Sequence, residues 1–120
     1  MSRQYLAMLN FSVDNFREIL DRLKGCDKIY ISLDVDSLDS ELVSNGTGTP
    51  VKNGLYIQEV IDLINDILKS EKVCCLELVE VNPLLDEKGN KMAEAALSIL
   101  ELTVGKYHSS LMKTKRLELV

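Results

Sequence analysis

No run of apolar residues in this chain approaches the ~18 that a membrane-spanning helix needs. Nor do the first residues, Met1-Ser2-Arg3-Gln4-Tyr5, supply the apolar core of a secretory signal. Basic charge is short as well: 14 Lys and Arg against 19 Asp and Glu leave a net charge of −5 and a pI near 4.9. Nucleic acid and anionic membranes both need a basic face, so neither is expected as a partner. Cys26, Cys74 and Cys75 lack metal-ligand spacing, and the adjacent pair is poorly placed to bridge itself. Three thiols read as buried and free suit a reducing compartment. Histidine is nearly absent: His108 is the only one, lies outside any motif and reads as a surface residue. Repeats, low-complexity tracts and interdomain linkers are missing too. What remains is the expectation of a soluble, cytoplasmic globular protein.

The 120 residues lie within the size of a single domain, and a hydrophobic content of 46% is enough for a core. Ser12 caps a helix expected from about Asp14 to Lys24, in which Phe16, Ile19, Leu20 and Leu23 fall at i, i+3, i+4 and i+7. Gly25 is its natural stop. The β-branched and aromatic run Lys28-Ile29-Tyr30-Ile31-Ser32-Leu33 reads as a strand. Residues 37–54 form a loop rich in glycine and proline. A second helix follows from about Tyr56 to Ser70, then a strand over Val73–Val81 that Asn82-Pro83 breaks, then a helix from about Lys91 to Val104. Arg3 to Met8 is a further candidate strand. Alternating helices and strands predict an α/β fold: a parallel sheet with flanking helices, its apolar strands buried on both faces. So few strands leave unpaired edges, so the chain reads as part of a larger sheet, a single incomplete domain over 1–120.

Chemistry concentrates after the first strand. Side chains alternate along a strand, so Asp34 and Asp36 are expected to point the same way, beyond its carboxyl end. Two carboxylates so close repel unless a cation or a shared proton compensates them, and their oxygens suit Mg²⁺ or Mn²⁺. The plain alternative is a pair of solvated loop acids. A calcium loop beginning at Asp34 wants Gly at its sixth position and Glu at its twelfth, where this chain has Asp39 and Asn45. Haloacid dehalogenase-like phosphatases share a strand followed by Asp-x-Asp, but Leu38 stands where they place Thr or Val.

The surrounding blocks discriminate between these readings. Asp34-Val35-Asp36-Ser37-Leu38-Asp39 is followed by Gly46-Thr47-Gly48-Thr49-Pro50-Val51, then Gly54-Leu55 and Glu59, then Leu78-Val79-Glu80-Val81-Asn82-Pro83 and Asp86-Glu87. In that order and at nearly that spacing, the set resembles the signature of the arginase and agmatinase family, the ureohydrolases. The resemblance covers about residues 28 to 105 and implies the C-terminal part of a three-layer α/β/α domain. It also implies hydrolysis of a guanidinium group, with two Mn²⁺ ions activating the attacking water. By the same analogy Asp34 bridges both metals, Asp36 binds one, Glu80 pairs with the substrate guanidinium and Thr49 lines the pocket. L-Arginine is favoured over agmatine, because Val51 follows the Thr-Gly-Thr-Pro block and because of the run from Glu80 to Glu87. Complete members assemble as trimers or hexamers.

Departures matter as much. The family's metal site also needs a histidine and an Asp-x-His-x-Asp block upstream, and no histidine precedes residue 108. Ser40 stands where the family usually has Pro, and Lys52-Asn53 replaces a more usual Gly or Pro stretch. The isolated chain is therefore expected to be inactive. Two other readings stay open: a non-catalytic module that joins an oligomer of a longer relative, its tail Lys113-Thr114-Lys115-Arg116 contributing contacts, or a truncated gene product beginning at an internal methionine.

Overall fold

Ile19 and Leu23 bury one side of helix α1, Phe16–Leu23, against Ile29 and Ile67, and so place α1 at the amino-terminal end of the sheet. The structure, a computed structural model, describes residues 16–118. The proposed strand from Arg3 to Met8 and the Ser12 cap lie outside the described residues. Strand β1, Ile29–Asp34, pairs in parallel with β2, Val73–Val79, and helix α2, Ile57–Leu68, makes the crossover. Tyr30 stands opposite Cys75, Ser32 opposite Glu77, and Asp34 opposite Val79.

The core lies on one side of this pair. Ile31, Leu33, Leu76 and Leu78 pack against Val60, Ile61 and Ile64 of α2 and against Met92, Ala95 and Ile99 of helix α3, Lys91–Leu100. The other face carries Tyr30, which is 54% exposed, with Ser32, Asp34 and Cys75 also exposed. This corrects the expectation of strands buried on both faces: β1 alternates between covered and open positions because the described residues supply helices to one face only. Among the described residues both strands are also edges of a two-stranded sheet.

Two boundaries differ from those expected. β2 ends at Val79, because Glu80 takes a left-handed conformation with φ 71°. The third helix does not stop near Val104. A π-helical turn over Glu101–Gly105 carries α3 into helix α4, Lys106–Glu118. Buried Thr103 donates to the Ile99 carbonyl at 2.6 Å, a back-bond of the kind that loosens the regular ladder. Among the described residues no helix is long and apolar enough to cross a membrane.

Candidate functional site

At the carboxyl ends of β1 and β2 the chain makes two linked loops. Asp34 is the last residue of β1 and caps a single 3-10 turn, Val35–Ser37. Its Oδ1 accepts the Asp36 backbone N–H at 2.8 Å, and its backbone carbonyl accepts the Ser37 hydroxyl at 2.7 Å. Strand alternation therefore does not place Asp36, which lies beyond the strand. What links the two residues is a side-chain-capped turn, in which the Asp34 carboxylate holds the Asp36 backbone. Val35, fully buried between them, anchors the turn in the core.

Thr49 arrives from the far side of the long loop, where its hydroxyl donates to Asp36 Oδ2. The other oxygen, Asp36 Oδ1, is buried and has no hydrogen-bond partner among the described residues. A buried carboxylate oxygen without a donor is costly, and a cation is the simplest compensation. Asp34 and Asp36 thus fit a hard divalent ion as part of its donor set. Among the described residues no group of three or more His, Cys, Asp and Glu side chains gathers around a common point.

Glu80 follows Val79, the register partner of Asp34, so it stands on the neighbouring strand end with its side chain exposed. Its left-handed backbone costs roughly 1–2 kcal/mol for a residue with a Cβ. Strain of that kind concentrates where a side chain must be aimed.

The 37–54 loop is ordered rather than slack. Leu38 and Asp39 make bridges to Leu55 and Val51, with Asp39 N–H donating to the Leu55 carbonyl at 3.0 Å. Gly54 sits where a Cβ would meet the Ser37 carbonyl oxygen at 2.6 Å, so its role is close approach of two backbones. Gly46 is equally confined: a Cβ there would lie 2.6 Å from Met92 Cβ and 2.7 Å from Asp86 Oδ2. Gly48 meets nothing within 4 Å.

Sequence reasoning gave Asp86 no role. Its Oδ2 accepts the Ser44 hydroxyl at 3.0 Å and the Met92 N–H at 2.9 Å, and its Oδ1 accepts the Lys88 N–H at 2.9 Å. The Met92 N–H, first among these, holds the carboxyl below its ordinary range. An acid shortly before a helix start was the available signal, since such residues satisfy free N–H groups in the first turn. Ser44, wholly buried, carried none.

Parallel strands joined by a helix, with three acidic residues at their carboxyl ends, define an α/β protein with acids gathered where folds of this kind bind ligands. The family model described as "Arginase family" matches residues 5–105. The arginase of Bacillus subtilis (strain 168) is 38% identical over 89 residues, covering 74% of this chain and 29% of that protein. That of Plasmodium berghei (strain Anka) is 44% identical over 71 residues, 59% of this chain and 20% of the relative. A crystal structure of Bacillus subtilis arginase superposes with a TM-score of 0.68 at 36% identity, covering 77% of this chain and 34% of the other. Formimidoylglutamase from the same species superposes at 0.66 with 31% identity, covering 75% and 28%. The chain belongs to the arginase family, a family of hydrolases, and its fold is arginase-like α/β. It spans less than a third of the length of the curated relatives it matches.

Proposed function

We propose that this chain carries part of the active site of a manganese-dependent guanidine hydrolase, acting on L-arginine to give L-ornithine and urea. The observation that carries the reading is Asp36, one oxygen fixed by Thr49 and the other buried without a donor, beside Asp34 in a chain of this family. Asp34 and Asp36 would hold Mn²⁺, with the remaining ligands from a histidine and an acidic block that these 120 residues do not supply. The domain over 1–120 is on this reading incomplete, the C-terminal part of a ureohydrolase. Bound Mn²⁺ would lower the pKa of water from ~15.7 to ~7 and so provide a nucleophile at neutral pH.

The chain's own groups do the rest. Thr49 restricts Asp36 to one orientation. Glu80, on the adjacent strand end, would accept paired hydrogen bonds from a planar guanidinium, an arrangement that binds and orients the cation together. Agmatine, a smaller guanidine without the carboxylate, is the alternative substrate. A complete enzyme on this reading is a trimer or hexamer, and Cys26, Cys74 and Cys75, free although Cys74 and Cys75 are exposed where burial was expected, favour the cytoplasm.

With L-arginine and Mn²⁺, the isolated chain is expected to release no urea, because two carboxylates leave most of the coordination sphere to water. Turnover that Asp36→Ala abolishes would overturn this.

A further inference from the structure

Two of four linked hydrogen bonds cross between the loop after β1 and the loop after β2, and one close approach joins the loops at the same place. Gly46 N–H donates to Ser44 Oγ at 3.2 Å, Ser44 Oγ donates to Asp86 Oδ2, and Asp86 Oδ2 also accepts the first-turn N–H of Met92. The Gly46 carbonyl accepts the Asn82 N–H at 2.7 Å, two residues beyond Glu80. Any side chain at 46 would displace Asp86 or Met92, so the contact is built for glycine. Thr49, three residues on, reaches Asp36 from this anchored stretch.

We propose that Asp86 is a positioning residue: through Ser44 and Gly46 it clamps the Thr49 loop to the Glu80 loop, and so sets Glu80 and Asp36 at a fixed separation. The inference rests on the reading of Asp36 and Glu80 given above, and it adds to that reading the element that registers the cation end of the site against the metal end. Among the described residues Asp86 bonds only to the Ser44 hydroxyl and to the Lys88 and Met92 N–H groups. Its carboxylate spans the first turn of α3 and the buried Ser44 hydroxyl, and Met92 and Val43, beside these two, belong to the same core. The clamp therefore refers both loops to the buried core.

The test compares the full chain with Asp86→Ala, Ser44→Ala and Asp86→Asn by amide hydrogen exchange and by Mn²⁺ broadening of amide signals. Ser44→Ala leaves the α3 cap intact and serves if Asp86→Ala fails to fold. Loss of a hydrogen bond to a charged group is expected to speed exchange at Gly46 and Asn82 by ~10-fold or more, with Ile64 in α2 unchanged. Asp86→Asn, whose amide oxygen still accepts from Ser44 and Met92, is expected to restore most of the protection. In the wild-type chain Mn²⁺ should broaden Asp36, Thr49 and Glu80 together. In Ser44→Ala and Asp86→Ala broadening at Asp36 should persist while that at Glu80 weakens relative to it, a change that mere loss of stability does not produce. Exchange at Gly46 and Asn82 within about twofold of wild type in both variants would overturn the clamp. If Mn²⁺ broadens none of these signals in the wild-type chain, two carboxylates without the missing ligands do not hold the ion, and the exchange rates alone decide the clamp.

Discussion

Asp34 and Asp36 were legible as a pair from their spacing alone, but the reason they sit together is local. The first caps a turn whose second residue is the other, and a threonine thirteen positions later fixes that second carboxylate. Nothing in an Asp-x-Asp spacing announces the threonine, because the contact depends on the whole intervening loop. A second cluster escaped notice for the same reason. On the open sheet face Ser32 donates to Glu77 Oε1 at 2.8 Å, and the Tyr30 hydroxyl shares that carboxylate. The shared bond to Glu77 pushes the Tyr30 phenol up from 10.0 to about 12, and the same bond, with that from Ser32, holds the Glu77 carboxyl below 4.5. The signs differ. Tyr30, raised in the fold, favours folding fully below pH 10 and loses that contribution as pH rises through about 12. Glu77, lowered in the fold, contributes above its ordinary value and loses the contribution as pH falls through the lowered one. Glu77→Gln is expected to bring one tyrosine titration back toward 10, read as tyrosinate absorbance against a Tyr30→Phe reference. An unchanged titration would show that Glu77 does not govern Tyr30.

Helices and strands were readable as elements because each carries its own period. Ile57, Val60, Ile61, Ile64 and Ile67 mark α2, and four of these five are buried. The boundaries were less readable. β2 stops at Val79 through a backbone conformation at Glu80 that composition does not signal, and α3 continues past Val104 because a π-helical turn absorbs Gly105. The glycines of the long loop divide in a way only packing reveals. Gly46→Ala is expected to cost about 1–3 kcal/mol, since its Cβ would overlap Met92 and Asp86. Gly48→Ala, with open space, should stay within about 1 kcal/mol of wild type. Chemical denaturation of both variants checks the pair, and equal effects would contradict the packing assigned to Gly46.

For the molecule as a whole, the parallel α/β class and the family signature both lay in the sequence, because ordered motif blocks survive when individual positions vary. The open face did not. The apolar strands suggested cover on both sides, whereas among the described residues Tyr30, Ser32 and Cys75 lie exposed and both strands are edges. Such a surface invites pairing with another chain or segment. It is also consistent with a chain that spans less than a third of its relatives. The most direct measurement places residues 5–105 in the Bacillus subtilis arginase, in exchange for the stretch they match, and follows urea release from L-arginine with Mn²⁺. The chimaera is expected to release urea, and Asp36→Asn or Glu80→Gln within it to lower the rate by ~100-fold or more, the scale of a lost metal ligand or charge pair. A chimaera that folds and assembles like its parent yet releases no urea, or one indifferent to both substitutions, would contradict the assignment of these carboxylates to a guanidine hydrolase site.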